Sequence, residues 1–121
     1  MRGYVCLVFG RHAIELHDLT PAEGNAFMED IRRVSAAVAD IVQPVKMNYE
    51  IHGNTAPHLH VHFFPRFAGD QFEGAPIDPK TALRPAYAPG EFESFRPRSR
   101  SAGRSLTSHM YPARRRLATP Q

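Results

Sequence analysis

The chain has 121 residues, a formal net charge of +3, 22% charged residues and one cysteine. That length fits a single domain able to bury a real core, while a lone Cys6 excludes an intramolecular disulfide and the lack of a Cys-x-x-Cys pair excludes a zinc ribbon. Residues 1–93 carry eight Lys and Arg against twelve Asp and Glu, whereas residues 94–121 carry seven Arg and no acid, so a mildly acidic body precedes a strongly basic tail.

Tyr4-Val5-Cys6-Leu7-Val8-Phe9 is a continuous apolar run. It predicts a strand buried on both faces, with Cys6 as a small buried hydrophobe. The run is too short for a signal-peptide core or a membrane span, which sets the expectation of a cytoplasmic protein with no membrane association. Gly10-Arg11-His12 breaks the strand, and Ala13 to Leu16 reads as a second short extended piece.

A helix start comes next. Thr20 can cap, Pro21 suits the first helical position, and Glu23 completes a capping box. Phe27, Ile31, Val34, Val38 and Ile41 form one apolar stripe at the 3.6-residue period, with Glu29, Asp30, Arg32, Arg33 and Asp40 off it. The helix is expected from Pro21 to about Val42, stopping before Pro44.

From Val45 to Ile51 the pattern alternates, with Val45, Met47, Tyr49 and Ile51 on one side and Lys46, Asn48 and Glu50 on the other. Residues 52–57 read as a loop. His58 to Phe64 alternates again, with Leu59, Val61 and Phe63 opposite His58, His60, His62 and Phe64. Two strands so close in sequence are expected to pair antiparallel, apolar sides on the helix and Asn and His side chains on the other face. Beyond Pro65 the patterning fades. Ala88 to Phe95 could begin a helix that Pro97 would end, and the Arg, Ser, Pro and Ala of 96–121 suggest a disordered tail. The chain thus divides into a domain over 1–95 and an Arg-rich tail over 96–121, with no internal repeat.

His58-Leu59-His60-Val61-His62 carries the chemistry. Alternate side chains on a strand share a face, so three imidazoles line up roughly 7 Å apart. Spacing alone leaves two readings open. One is a zinc site, with a further ligand from His12, His52 or an acid. The other is phosphoryl chemistry, in which one imidazole attacks phosphorus while its neighbours supply protons and hydrogen bonds.

The flanks favour the second. The segment from Asn48 through Gly53-Asn54-Thr55 and Pro57-His58-Leu59-His60-Val61-His62-Phe63-Phe64 resembles the signature of the histidine-triad (HIT) family, His-φ-His-φ-His-φ-φ with φ apolar. Arg11-His12 and the later Glu15-Leu16-His17-Asp18-Leu19-Thr20 resemble the segment that leads into that family's long helix. The resemblance covers about residues 3–80.

It implies an α+β fold, a HIT-like antiparallel sheet with one long helix, here without the two strands that usually precede the one near Gly3. It implies that His60 is the nucleophile on an α-phosphorus, forming a nucleotidyl-histidine that water or another acceptor resolves, and that the His58 carbonyl holds the His60 tautomer. His62 would hydrogen-bond phosphate oxygens. Asn48 would bind the phosphate or ribose side, Thr55 would touch the leaving-group oxygen, Gly53 and Asn54 would let backbone approach the phosphates, and His12 would lie near the triad. His52 matches no family position and reads as a loop residue. The substrate class implied is a nucleotide or dinucleoside polyphosphate, with no required cofactor, a divalent metal left open, and a homodimer formed through the helix and an edge strand. The alternative is a catalytically degenerate nucleotide-binding module, or a nucleic-acid-binding one acting through the basic tail.

Overall fold

The computed structural model describes residues 2–78 and 80–82 with their side chains, and the backbone of 108–112. In chain order it contains β1 (Val5–Phe9), a 3-10 turn (Leu16–Asp18), α1 (Pro21–Val42), β2 (Lys46–Ile51), β3 (His60–Arg66) and β4 (Ser108–Pro112). The strands form one antiparallel sheet in the order β2-β3-β1-β4, and α1 lies against β1 and β3.

The α1 boundaries coincide with the sequence expectation. Thr20 Oγ1 accepts from the Glu23 N–H while the Glu23 carboxylate accepts from the Thr20 N–H, so two orphan donors of the first turn are satisfied. The same Glu23 takes both prongs of the Arg11 guanidinium at 2.7 Å, tying the residues after β1 to the helix start. On the inner face Phe27, Val38 and Val42 are buried, with Ile31 and Val34 packed against them. Two positions differ from the stripe: Ile41 is exposed and Asp30 is buried. The end of the helix leans on the start of β1 through Val42, which turns Ile41 outward.

The core is completed by Val5, Leu7 and Phe9 of β1, Met47 of β2, and Leu59, Val61 and Phe63 at and before β3. Phe9 and Phe27 meet edge to face at 5.3 Å. Each such side chain contributes about 1.5–3 kcal/mol by leaving water. Gly3 is required where the layers converge. Its φ is +74°, and a Cβ there would lie 3.0 Å from both Pro65 and Val42 side-chain carbons.

Three expectations need correction. First, β1 is not buried on both faces: Val5, Leu7 and Phe9 are buried, while Cys6 and Val8 are half-buried on the face of the histidines. A continuous apolar run cannot by itself tell one covered face from two. Second, Ala13 to Leu16 is not an extended piece. The Asp18 carboxylate accepts from the Ile14 and Glu15 N–H groups, and this local bonding wraps the chain into the 3-10 turn. Third, β3 begins at His60 and runs through Pro65 to Arg66. Proline is tolerated because the Arg66 carbonyl faces β2, where it accepts from Val45, so Pro65 faces the β1 side beyond the last β1 pair at Phe63. Within 96–121, Ser108–Pro112 runs as a strand beside β1. The possible helix over 88–95 lies outside the described residues.

Candidate active site

The face of the sheet away from α1 carries the site. Register places Cys6 opposite His62 and Val8 opposite His60 across β1 and β3, and Glu50 opposite His62 and Asn48 opposite Phe64 across β2 and β3. His60, His62, Phe64, Asn48 and Glu50 therefore share this face.

The three triad histidines are held by different partners. His58 lies just before β3 and donates from Nε2 to the Phe9 carbonyl at 2.8 Å. The neighbouring Leu59 N–H donates to the Ala13 carbonyl at 2.7 Å, which pins this corner to the chain after β1. His60 donates from Nδ1 to the His58 carbonyl at 2.6 Å. A carbonyl can only accept, so the proton of a neutral His60 ring sits on Nδ1 and the lone pair sits on Nε2. His60 and His62 meet edge to face at 4.7 Å.

His62 sits in an aromatic stack. Its ring lies 5.9 Å from Tyr4 and 5.9 Å from Phe64, nearly parallel to both, and Tyr4 and Phe64 stack at 4.8 Å. Its Nδ1 is 2.6 Å from the Tyr4 hydroxyl. Burial, then the charges of His60 and His52, push the His62 pKa below the ordinary histidine value, with Glu50 opposing. Cys6, on the same face, is a free thiol pushed up to about 11 by burial, so it is no nucleophile at neutral pH.

The remaining residues expected at the site fall in different places. The His12 ring is 5.7 Å from that of His58, so the structure does bring it beside the triad. Asn48 is on the triad face of β2 but in register with Phe64, two positions along from His62. Gly53, Asn54 and Thr55 lie in the exposed loop that leads from β2 into His58. Glycine at 53 is not demanded by backbone geometry, since an added Cβ would meet only the Ala56 carbonyl oxygen, at 4.0 Å.

Sequence reasoning gave no site role to Tyr4 or Glu50, and named His52 only as a possible zinc ligand. Tyr4 was hidden inside an apolar run, and only the β1–β3 register turns it toward His62. His52 donates to the Glu50 carboxylate at 2.9 Å, and its ring is 5.8 Å from that of His62, so it edges the site. A shallow cleft along β2 is lined by Lys46, Met47, Asn48, Tyr49, Glu50 and His52, with Pro76 and Ile77, and by none of the triad histidines. Arg66 fixes the segment that forms its outer wall. The guanidinium is buried, pairs with both Asp70 oxygens at 2.8 Å, and donates to the Ala75 carbonyl at 2.8 Å and to the Phe72 carbonyl. Among the described residues, no three His, Cys, Asp or Glu side chains are arranged to hold a metal ion, and no helix is long and apolar enough to cross a membrane.

The family model of the HIT domain matches residues 1–69. The chain belongs to the HIT family. A HIT-like fold is also seen in two solved structures. One is a histidine triad protein of Bradyrhizobium japonicum, with a TM-score of 0.67 and 31% identity, matching 78% of this chain and 72% of that one. Another is a histidine triad protein of Sinorhizobium meliloti 1021, with a TM-score of 0.67 and 26% identity, matching 76% of this chain and 68% of that one. Among curated proteins, the asymmetrical bis(5'-nucleosyl)-tetraphosphatase of Schizosaccharomyces pombe is 32% identical over 73 residues, 56% of this chain. The match spans 40% of that relative's length.

Proposed function

We propose that this HIT protein is a hydrolase or transferase that acts on the α-phosphate of a nucleotide or dinucleoside polyphosphate through a nucleotidyl-histidine. The observation that carries the reading is the 2.6 Å hydrogen bond from His60 Nδ1 to the His58 carbonyl, which leaves the Nε2 lone pair to attack. The tetraphosphatase relative supports the substrate class.

In the proposed reaction, Nε2 of His60 bonds to the α-phosphorus. The bond from phosphorus to the leaving oxygen breaks, the oxygen takes the electron pair, and a proton from solvent neutralises it. Thr55, from the loop before the triad, would approach that oxygen, and His62 would donate to a non-bridging phosphate oxygen. Water then attacks phosphorus, the P–N bond breaks, the pair returns to Nε2, and a proton passes to solvent. Throughout, Nδ1–H stays on the His58 carbonyl, which stabilises the positive charge that the ring gains while bonded to phosphorus. His58 and His12 would hold the end of the site near the leaving group, and Asn48, Gly53 and Asn54 would line the side of the phosphates and ribose.

The partners under this reading are the nucleotide and a second copy of the chain. The edge strand β2, with Tyr49 and Ile51 and the preceding Val45 uncovered, supports the dimer.

The test is an alkaline quench of the protein with bis(5'-adenosyl) tetraphosphate, followed by peptide mass spectrometry. A phosphoramidate survives base and breaks in acid. The expected result is an alkali-stable, acid-labile adenylyl adduct on His60, and loss of both adduct and turnover in His60→Asn. Normal turnover by a folded His60→Asn variant would remove the mechanism.

A further inference from the structure

We propose that Tyr4 is a positioning residue: its hydroxyl donates to Nδ1 of His62 and so fixes the tautomer in which Nε2 of His62 carries the proton offered to the substrate phosphate. The role given to His62 and the choice between its two tautomers rest on the proposed phosphate chemistry; the contact between Tyr4 and His62 does not.

The geometry is the 2.6 Å contact between the Tyr4 hydroxyl and His62 Nδ1, made from the residue just before β1 to the middle of β3. A phenol is protonated at neutral pH and can donate. His62 is neutral there, since burial disfavours its charged form, so its ring holds a single N–H. The two nitrogens then have opposite roles, and which is which decides what the ring can do. With the proton on Nδ1, Nε2 would present a lone pair to phosphate oxygens, which are acceptors only. With Tyr4 donating to Nδ1, Nε2 is a donor. Nε2 of His62 meets no hydrogen-bond partner among the described residues, so that donor is left for a ligand. The neighbouring His60 is set the opposite way, with Nδ1 donating to a carbonyl and Nε2 without a hydrogen-bond partner among the described residues. Two adjacent imidazoles on one strand thus carry opposite tautomers: one a nucleophile, the other a hydrogen-bond donor. Stacking of Tyr4 on Phe64 holds the phenol ring in the required plane.

Nitrogen-15 NMR of the ring nitrogens of His62 in the free, full-length protein reads the tautomer directly. The expected spectrum has a protonated Nε2 and an unprotonated Nδ1 at neutral pH. In Tyr4→Phe, which keeps the stacked ring, the expected spectrum is a mixture of the two tautomers. Turnover of bis(5'-adenosyl) tetraphosphate should show kcat lowered about tenfold, the loss of roughly one hydrogen bond in the transition state, with the His60 adduct still forming, more slowly. A wild-type spectrum with the proton on Nδ1 would overturn the proposal without any variant. So would a Tyr4→Phe spectrum unchanged from wild type, or an unchanged kcat. Absence of turnover in wild type together with the predicted pair of spectra would count against the catalytic reading and leave the Tyr4 assignment standing.

Discussion

His62 shows how a side chain's surroundings set its chemistry. The stacked pair of Tyr4 and Phe64 lies beside its ring, and the half-burial of His62 disfavours the imidazolium. The consequence for stability has a definite sign. Between the lowered folded pKa and the ordinary value of 6.5, the unfolded chain binds more protons at this residue than the folded one. The contribution of His62 is therefore fully present above about 6.5 and falls away as pH drops through the folded pKa. Thermal unfolding measured from pH 7.5 down to 5 (roughly the range in which histidines titrate) should show a decline in Tm that is shallower in His62→Gln than in wild type. An equal decline in both would mean that the burial of His62 is not what couples folding to pH.

At the scale of elements, Arg66 ends β3 and organises residues 70–75 around its guanidinium. Its four hydrogen bonds reach Asp70, Phe72 and Ala75, and those it donates to the Asp70 carboxyl hold that group far below the ordinary carboxylate range. The Ala75 carbonyl finds a donor here, and the Phe72 carbonyl, which also accepts from the Ala75 N–H, gains a second. Replacing it by Met keeps the stem but removes every donor. Arg66→Met should lower stability by about 3 kcal/mol, read as a shift of the urea midpoint at unchanged slope. A shift within experimental scatter would show that water replaces the guanidinium at little cost. The capping box at Thr20 and Glu23 works on a smaller scale, about 1 kcal/mol, and it was readable from four consecutive residue types because its geometry is local.

For the whole molecule, β2 bounds the sheet opposite β4 among the described residues. It is an edge strand, and Tyr49 and Ile51 are about half exposed on the side that faces the helix layer, with the Tyr49 hydroxyl 2.5 Å from Ser35 of α1. A second copy laid against this edge would extend the sheet and cover both side chains. Sedimentation of wild type should give the mass of two chains, and Ile51→Lys, which adds a charge at the seam, should give one. A monomeric wild type would leave the dimer without support.

The sequence by itself determined the elements whose signals are local. The α1 boundaries come from Thr20, Pro21, Glu23 and Pro44, the β2–β3 pairing from two alternating runs joined by a short loop, and the triad from residue types at a spacing of two. The family, too, was legible in the motif. Tertiary structure decided the rest. Whether β1 had one covered face or two depended on which strands flank it. Tyr4 became part of the site only because Cys6 pairs with His62, a register set between residues more than fifty positions apart. His52, read as a plain loop residue, reaches the edge of the triad because β2 lies beside β3. The physical reason is common to all three. Backbone periodicity is written in neighbouring residues, whereas the partner that fixes a tautomer or desolvates a ring is brought in by the chain's return, and no window of sequence contains both.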